Sequence, residues 1–195
     1  MSSAEPLRQA YFIIVAFVAA GFAHSAWLGS RLSKRLSIPL DGGATFRGRR
    51  IFGDNKTVRG FAVMIPAAAI AFGVLFTVIN NITPSAVAGL WPLTLRGYIA
   101  LGAWAGLGFM LGELPNSFVK RQLDIAPGRP PRGRVAAVVS FIVDRLDSIV
   151  GMLLAITLAA PTPWMTWLLV IVIGPGIHLG FSALLYKLGV KERAA

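Results

Sequence analysis

The sequence predicts an all-α integral membrane protein of about five transmembrane helices, with the N-terminus outside and two long basic loops in the cytoplasm. Three observations carry this. Of 195 residues, 55% are hydrophobic and only 14% charged, against roughly 25% charged in a soluble domain. Uncharged runs recur at the length of a bilayer crossing, about 20 residues. The 19 basic residues are crowded into alternate connections, as the positive-inside rule requires.

The first run covers residues 11–29. It is preceded by Glu5 and Arg8 and followed by a dense basic cluster, the reverse of a secretory signal, so it reads as an uncleaved span entered from outside. Residues 30–60 then hold eight cations, including Arg31, Lys34, Arg47, Arg49, Arg50, Lys56 and Arg59. The second and third runs, residues 61–79 and 97–112, are separated by a connection whose single cation is Arg96. Residues 113–147 hold six more cations, and a fourth run, residues 135–160, is interrupted by Asp144, Arg145 and Asp147. The last run, residues 164–186, should be broken at Gly174-Pro175-Gly176 and is followed by Lys187, Lys191 and Arg193. Trp27, Trp91, Trp164, Tyr11, Tyr98 and Tyr186 fall near segment ends, where interfacial aromatics belong. No repeat or linker divides the chain, so residues 1–195 read as one domain.

Composition excludes several chemistries. With no cysteine there is no disulfide, thiolate metal site or thiol nucleophile. A net charge of +11 would suggest nucleic acid in a soluble protein, but these cations are distributed as topology signals, and the expected partner is the lipid bilayer. His24 and His178 sit alone in separate apolar runs and read as interior or interfacial side chains rather than ligands.

Asp144 and Asp147 are the anomaly. Nine uncharged residues precede them and twelve follow Ser148, and a charged residue at mid-helix costs about 2.5–3.5 kcal/mol on insertion scales. At i and i+3 both face one way, and two carboxylates with substrate phosphates are what Mg²⁺ prefers. The competing reading is an ion-pair network in which Arg145 and a loop cation neutralise them. A second pattern precedes the pair: Glu113, Asn116, Ser117, Lys120, Arg121 and Asp124 make one polar face at helical spacing, with Pro115 expected to kink or start that helix. A third lies in the first loop, where residues 46–60 join glycines to four arginines, Asn55 and Lys56-Thr57. Such a loop suits phosphate, although it is not a P-loop and a basic anchor to anionic head groups would share its charge. Together the three point to metal-assisted phosphoryl transfer on the cytoplasmic side.

At these residues the sequence resembles a known family. Ser117-x-x-Lys120-Arg121 followed by Asp144-Arg-Leu-Asp147-Ser148 is similar to the signature of the phosphatidate cytidylyltransferases (CDP-diacylglycerol synthases). The short chain and the stretch Phe52-Gly-Asp-Asn-Lys-Thr-Val-Arg-Gly60 look more like the small CDP-archaeol synthase branch. The resemblance covers residues 46–151 and implies a Mg-dependent enzyme that joins CTP to a membrane lipid phosphate, phosphatidate or archaeol-type, giving a CDP-lipid and pyrophosphate. It implies that Asp144 and Asp147 hold the metal and that Lys120, Arg121 and Ser117 complete the catalytic set. Asn55, Lys56, Thr57, Arg59, Gly60, Glu113 and Asn116 would bind substrate, Glu113 standing where the pattern leads one to expect Asp. The expected setting is the plasma (inner) membrane with the site facing the cytoplasm, and a homodimer is one assembly compatible with the chain.

Rival readings make different demands. A CDP-alcohol phosphatidyltransferase needs Asp-Gly-x-x-Ala-Arg, and Asp41-Gly-Gly-Ala-Thr lacks the Arg. A glycerol-phosphate acyltransferase would account for residues 46–60 but not for Asp144 and Asp147. A lipid-binding subunit without enzymatic activity would tolerate Asp144→Asn.

Overall fold

The computed structural model describes residues 4–187, except for the side chains of Ala4, Leu32, Lys34 and His178. The expectations for His178, Lys191 and Arg193 therefore lie outside the described residues. Five long helices form the body: α1 (Ala4–Leu28), α2 (Val58–Ile82), α4 (Leu95–Gln122), α5 (Arg134–Ala159) and α6 (Trp164–Lys187), with a single turn, α3 (Pro84–Val87), after α2. Four of them, α1, α2, α4 and α6, are long and apolar enough to cross a membrane. The fifth, α5, has 26 residues and differs in carrying the Asp144-Arg145-Leu146-Asp147 group. Large apolar side chains such as Ile70, Val74, Leu158 and Val172 point outward, which water would penalise and acyl chains would not.

One sequence expectation fails here: Gly174-Pro175-Gly176 does not break α6. Of the two roles expected of Pro115, it does not start a helix, since α4 runs from Leu95 through Pro115 to Gln122. Each proline removes one backbone donor, a loss that the rest of a long helix absorbs. Trp91 and Tyr98 flank the start of α4, near a segment end as expected, but they pack inside the bundle. They are 2% and 0% exposed, and Tyr98 Oη donates to the Trp91 carbonyl at 2.7 Å while Trp91 Nε1 donates to the Pro161 carbonyl at 2.9 Å. With both polar atoms satisfied, their rings join Phe12, Phe72 and Phe76 in an aromatic core at one end of the bundle.

Glycine spacing sets the helix contacts. On α4, Gly102 and Gly106 abut α2 at Ala68 and Met64, whereas Gly108 and Gly112 abut α5 at Gly151, Ala155 and Asp147. A Cβ on Gly151 would stand 2.6 Å from the Gly112 Cα, so these backbones touch as in small-xxx-small packing. The register follows: with Gly112 against Asp147, residues one and two turns further along α4 meet Asp144. Gly151→Leu is accordingly expected to cost at least the roughly 1–3 kcal/mol typical of overpacking, read as a lower thermal midpoint in detergent.

Candidate functional site

The close α4–α5 contact brings the stripe and the aspartates together. Asn116 Nδ2 donates to Asp144 Oδ1 at 2.6 Å and to Asp147 Oδ2 at 2.8 Å, so oxygens from both carboxylates converge on one nitrogen. Lys120 pairs with Asp144. Ser148 Oγ donates to Glu113 Oε1 at 2.7 Å and lies 3.3 Å from Asp147 Oδ1. Glu113 in turn pairs with Lys56 of the first loop. One polar chain therefore runs Lys120, Asp144, Asn116, Asp147, Ser148, Glu113, Lys56 across three segments. Ser148 took no role in the sequence reading, although it directly follows the second aspartate.

The stripe of α4 divides between two partners. Glu113, Asn116 and Lys120 reach α5, while Ser117 and Arg121 lie on the side of Met110, which packs on Gly60 at the start of α2. Ser117 Oγ donates to the Glu113 carbonyl at 2.8 Å within its own helix, so its hydroxyl braces α4 rather than projecting toward the carboxylate pair. Arg121 is 8% exposed, with Nε and Nη1 buried and unpartnered, and its guanidinium lies against Gly53. Asp124 lies beyond α4 with φ of 59° and is exposed, outside this cluster.

The alternative network does not form as expected. Lys120 does meet Asp144, but Arg145 makes no ion pair with either aspartate; its guanidinium turns back over the Phe141 ring.

The first loop owes its shape to an acid that sequence reasoning passed over. Asp41 Oδ1 accepts from Arg50 Nη2 at 2.6 Å and the Gly43 N–H at 3.1 Å, and Oδ2 accepts from the N–H groups of Phe52 and Gly53 at 2.9 and 3.0 Å. A short hairpin, β1 (Thr45–Phe46) with β2 (Arg49–Arg50), turns through Arg47 and Gly48, both at positive φ, as a two-residue hairpin prefers. The loop then docks on the end of α4: Arg49 donates to the Gln122 carbonyl, and the Phe46 and Phe118 rings lie 5.8 Å apart. A cation at helix carbonyls is favourable. The signal in the sequence was Asp followed by Gly-Gly, a turn signature.

Asp41 also sets a pH limit. The Arg50 guanidinium, opposed by burial and aided by the Phe52, Gly53 and Gly43 N–H groups, holds its carboxyl well below the usual carboxylate range. A depressed folded value stabilises above the ordinary pKa of 3.8 and loses that stabilisation as pH falls below it. Asp41→Ala is expected to cost about 3 kcal/mol by leaving paired donors unmet, and acid should open the same loop first, both measurable by limited proteolysis of residues 41–57.

The ordered loop presents its far end to a cavity. Leu40 N–H donates to the Lys56 carbonyl at 2.8 Å and Val58 N–H to the Ile38 carbonyl at 2.9 Å. These bonds set Asn55, Lys56, Thr57, Arg59 and Gly60 in the wall of a cavity of about 430 Å³. Glu113 shares that polar end, with Arg59 Nε buried and unpartnered. Burial works against the Lys56 charge, but the Glu113 carboxylate outweighs it and holds the ammonium above the ordinary lysine range. The remaining wall is apolar, from Ile13, Phe17, Met64, Ile149, Val170 and others, with His24 beside them. A polar mouth on an apolar chamber suits an amphiphile with an anionic head. Among the described residues no group of three His, Cys, Asp or Glu side chains is placed to hold a metal. Asp144 and Asp147 alone offer converging carboxylates, which fits an ion that completes its shell from phosphates and water.

Comparison with known proteins gives consistent relatives. Residues 6–194 match the CarS-like, CDP-archaeol synthase family. A CDP-archaeol synthase from Halobacterium salinarum is 34% identical over 167 residues, covering 79% of this chain and 81% of the relative. One from Methanospirillum hungatei is 32% identical, covering 80% and 88%, and one from Pyrococcus furiosus 34%, covering 79% and 81%. A solved intramembrane enzyme for archaeal membrane lipid biosynthesis shares the fold, with a TM-score of 0.54 at 24% identity over 86% of this chain and 90% of that one.

Proposed function

Because the chain belongs to the CDP-archaeol synthase family, we propose that Asp144, Asp147, Lys120 and the first-loop cations carry out Mg-dependent transfer of CMP from CTP to an archaeol-type lipid phosphate. The enzyme is a CTP-using cytidylyltransferase. The observation that supports this assignment of residues is the continuous polar chain from the converging carboxylates to the mouth of the apolar cavity.

In this reading the lipid tails occupy the cavity and the lipid phosphate sits at Asn55, Lys56, Thr57 and Arg59. CTP lies toward Lys120, Arg121 and the aspartates. An oxygen of the lipid phosphate attacks the α-phosphorus, the bond to the β-phosphate oxygen breaks, and pyrophosphate leaves. The nucleophile is already anionic, so a cluster built without a histidine base suffices. Mg²⁺ held by Asp144 and Asp147 would neutralise the triphosphate. Asn116 keeps the two carboxylates aimed at one point, and Lys120 and Arg121 bind phosphate oxygens. Alignment and charge neutralisation then supply the rate. We further propose that α5 is a fifth span, and that the site faces the cytoplasm, the side on which positive-inside counting places both basic loops.

The test is pyrophosphate release from purified protein with CTP, Mg²⁺ and a panel of ether-linked isoprenoid and ester-linked lipid phosphates. The expected result is turnover with the ether-linked acceptor and loss of turnover with chelator. No pyrophosphate with any lipid phosphate would overturn the reading.

A further inference from the structure

Arg145 is a buried cation that the reaction outlined above does not use. It stands between Asp144 and Asp147 in sequence, but at about 100° per residue it leaves their face of α5. It shares instead the face of Ile149, Met152 and Ile156, all buried, and Ile149 and Met152 line the apolar cavity. Arg145 is 7% exposed. Its guanidinium carbon lies 3.3 Å from the centroid of the Phe141 ring, and Nη1 donates to the Phe141 carbonyl at 2.8 Å. Nε is buried without a partner.

A guanidinium stays charged at any accessible pH, and a buried charge is normally paired. Ring stacking and one carbonyl on its own helix satisfy part of this cation and leave the rest of the fork open. The two nearest acids in sequence are engaged elsewhere, with Asn116 and Lys120. In the wall of the cavity the first loop contributes Lys56 and Arg59, and α5 turns into the same wall the face of Ile149 and Met152, on which Arg145 stands one turn before Ile149.

We propose that Arg145 is a substrate-binding residue whose guanidinium takes a phosphate of the bound substrates from the α5 side, held ready by Phe141. The inference rests on the cytidylyltransferase reading and adds a residue to it. A planar fork suits bidentate phosphate contact, which lysine cannot reproduce.

The experiment measures KM for CTP and for the lipid phosphate separately in Arg145→Gln and Arg145→Lys, with thermal midpoints in the same detergent. Arg145→Gln is expected to raise the KM of one substrate about tenfold or more, the loss of a charge-assisted hydrogen bond, and Arg145→Lys to recover part of it. The KM that moves identifies whether the lipid head or the nucleotide is the source of the phosphate. Unchanged KM for both substrates, with or without a lower midpoint, would assign Arg145 to structure alone and overturn the inference. If Arg145→Gln does not fold, Arg145→Lys decides, since loss of the fork should still raise that KM severalfold and an unchanged value refutes the proposal. Wild-type protein inactive with every lipid phosphate would instead sink the reaction reading, so the two failures are distinguishable.

Discussion

Asp147→Asn and Asp144→Asn should each reduce CMP transfer by about three orders of magnitude, the upper end of what removing one electrostatic contact to a transition state costs. Each change keeps the side-chain volume and one carbonyl oxygen while deleting a charge. Asp147 has the stricter surroundings, because Ser148 N–H donates to its Oδ1 at 2.7 Å and Asn116 to its Oδ2. In Asp147→Asn the new amide N–H₂ would have to turn toward one of those donors. Asp144 faces Lys120 and Asn116, so Asp144→Asn would leave Lys120 without its counter-charge. The difference should appear in binding. Asp144→Asn would free Lys120 for phosphate and lower KM for CTP, whereas Asp147→Asn would lower turnover and weaken Mg²⁺ dependence together. Retained turnover in both variants would exclude these carboxylates from the chemistry.

How much of this was legible in the sequence depends on the range of the interaction. The aspartates stood out because charge in an apolar run is costly wherever the run folds. The stripe of α4 was readable because helical periodicity is local. Its division was not readable, since which of Ser117 and Asn116 meets α5 depends on the Gly108, Gly112 and Gly151 contacts between helices. Asp41 was noticed only as a failed motif, for its function lies in donors from residues 43, 50, 52 and 53 that a turn gathers. Trp91 and Tyr98 were placed at the interface because aromatic residues near span ends are common there; a tertiary carbonyl satisfied each polar atom and allowed burial. Glu113 was readable as polar but not as the link between loop and aspartates, because its partners Lys56 and Ser148 are 57 and 35 residues away.

That link makes Lys56 the second sensitive position. Lys56→Met should reduce kcat/KM for the lipid phosphate by about two orders of magnitude, the loss of one preorganised cation, and should also leave Glu113 as an uncompensated acid one hydroxyl away from Asp147. Removing one partner of a buried pair typically costs about 3–5 kcal/mol, so this variant is expected to be less stable as well as less active. Glu113→Gln alone leaves Lys56 as the uncompensated partner, so it too should lower stability, and activity should fall with it because Ser148 loses a charged acceptor and Asp147 loses the connection to the loop. The double variant Lys56→Met/Glu113→Gln then separates the two effects. Its thermal midpoint should return toward wild type, since no charge is left unpaired, while kcat/KM stays low because the phosphate has lost its cation. The pH dependence gives an independent check. Glu113 holds the Lys56 ammonium above the ordinary 10.5, so the stabilising pair is complete below that value and is lost only as pH rises through the folded one. In Glu113→Gln the alkaline limit should move to lower pH. Recovery of both stability and activity in the double variant would show that Lys56 serves only to neutralise Glu113 and has no part in binding phosphate.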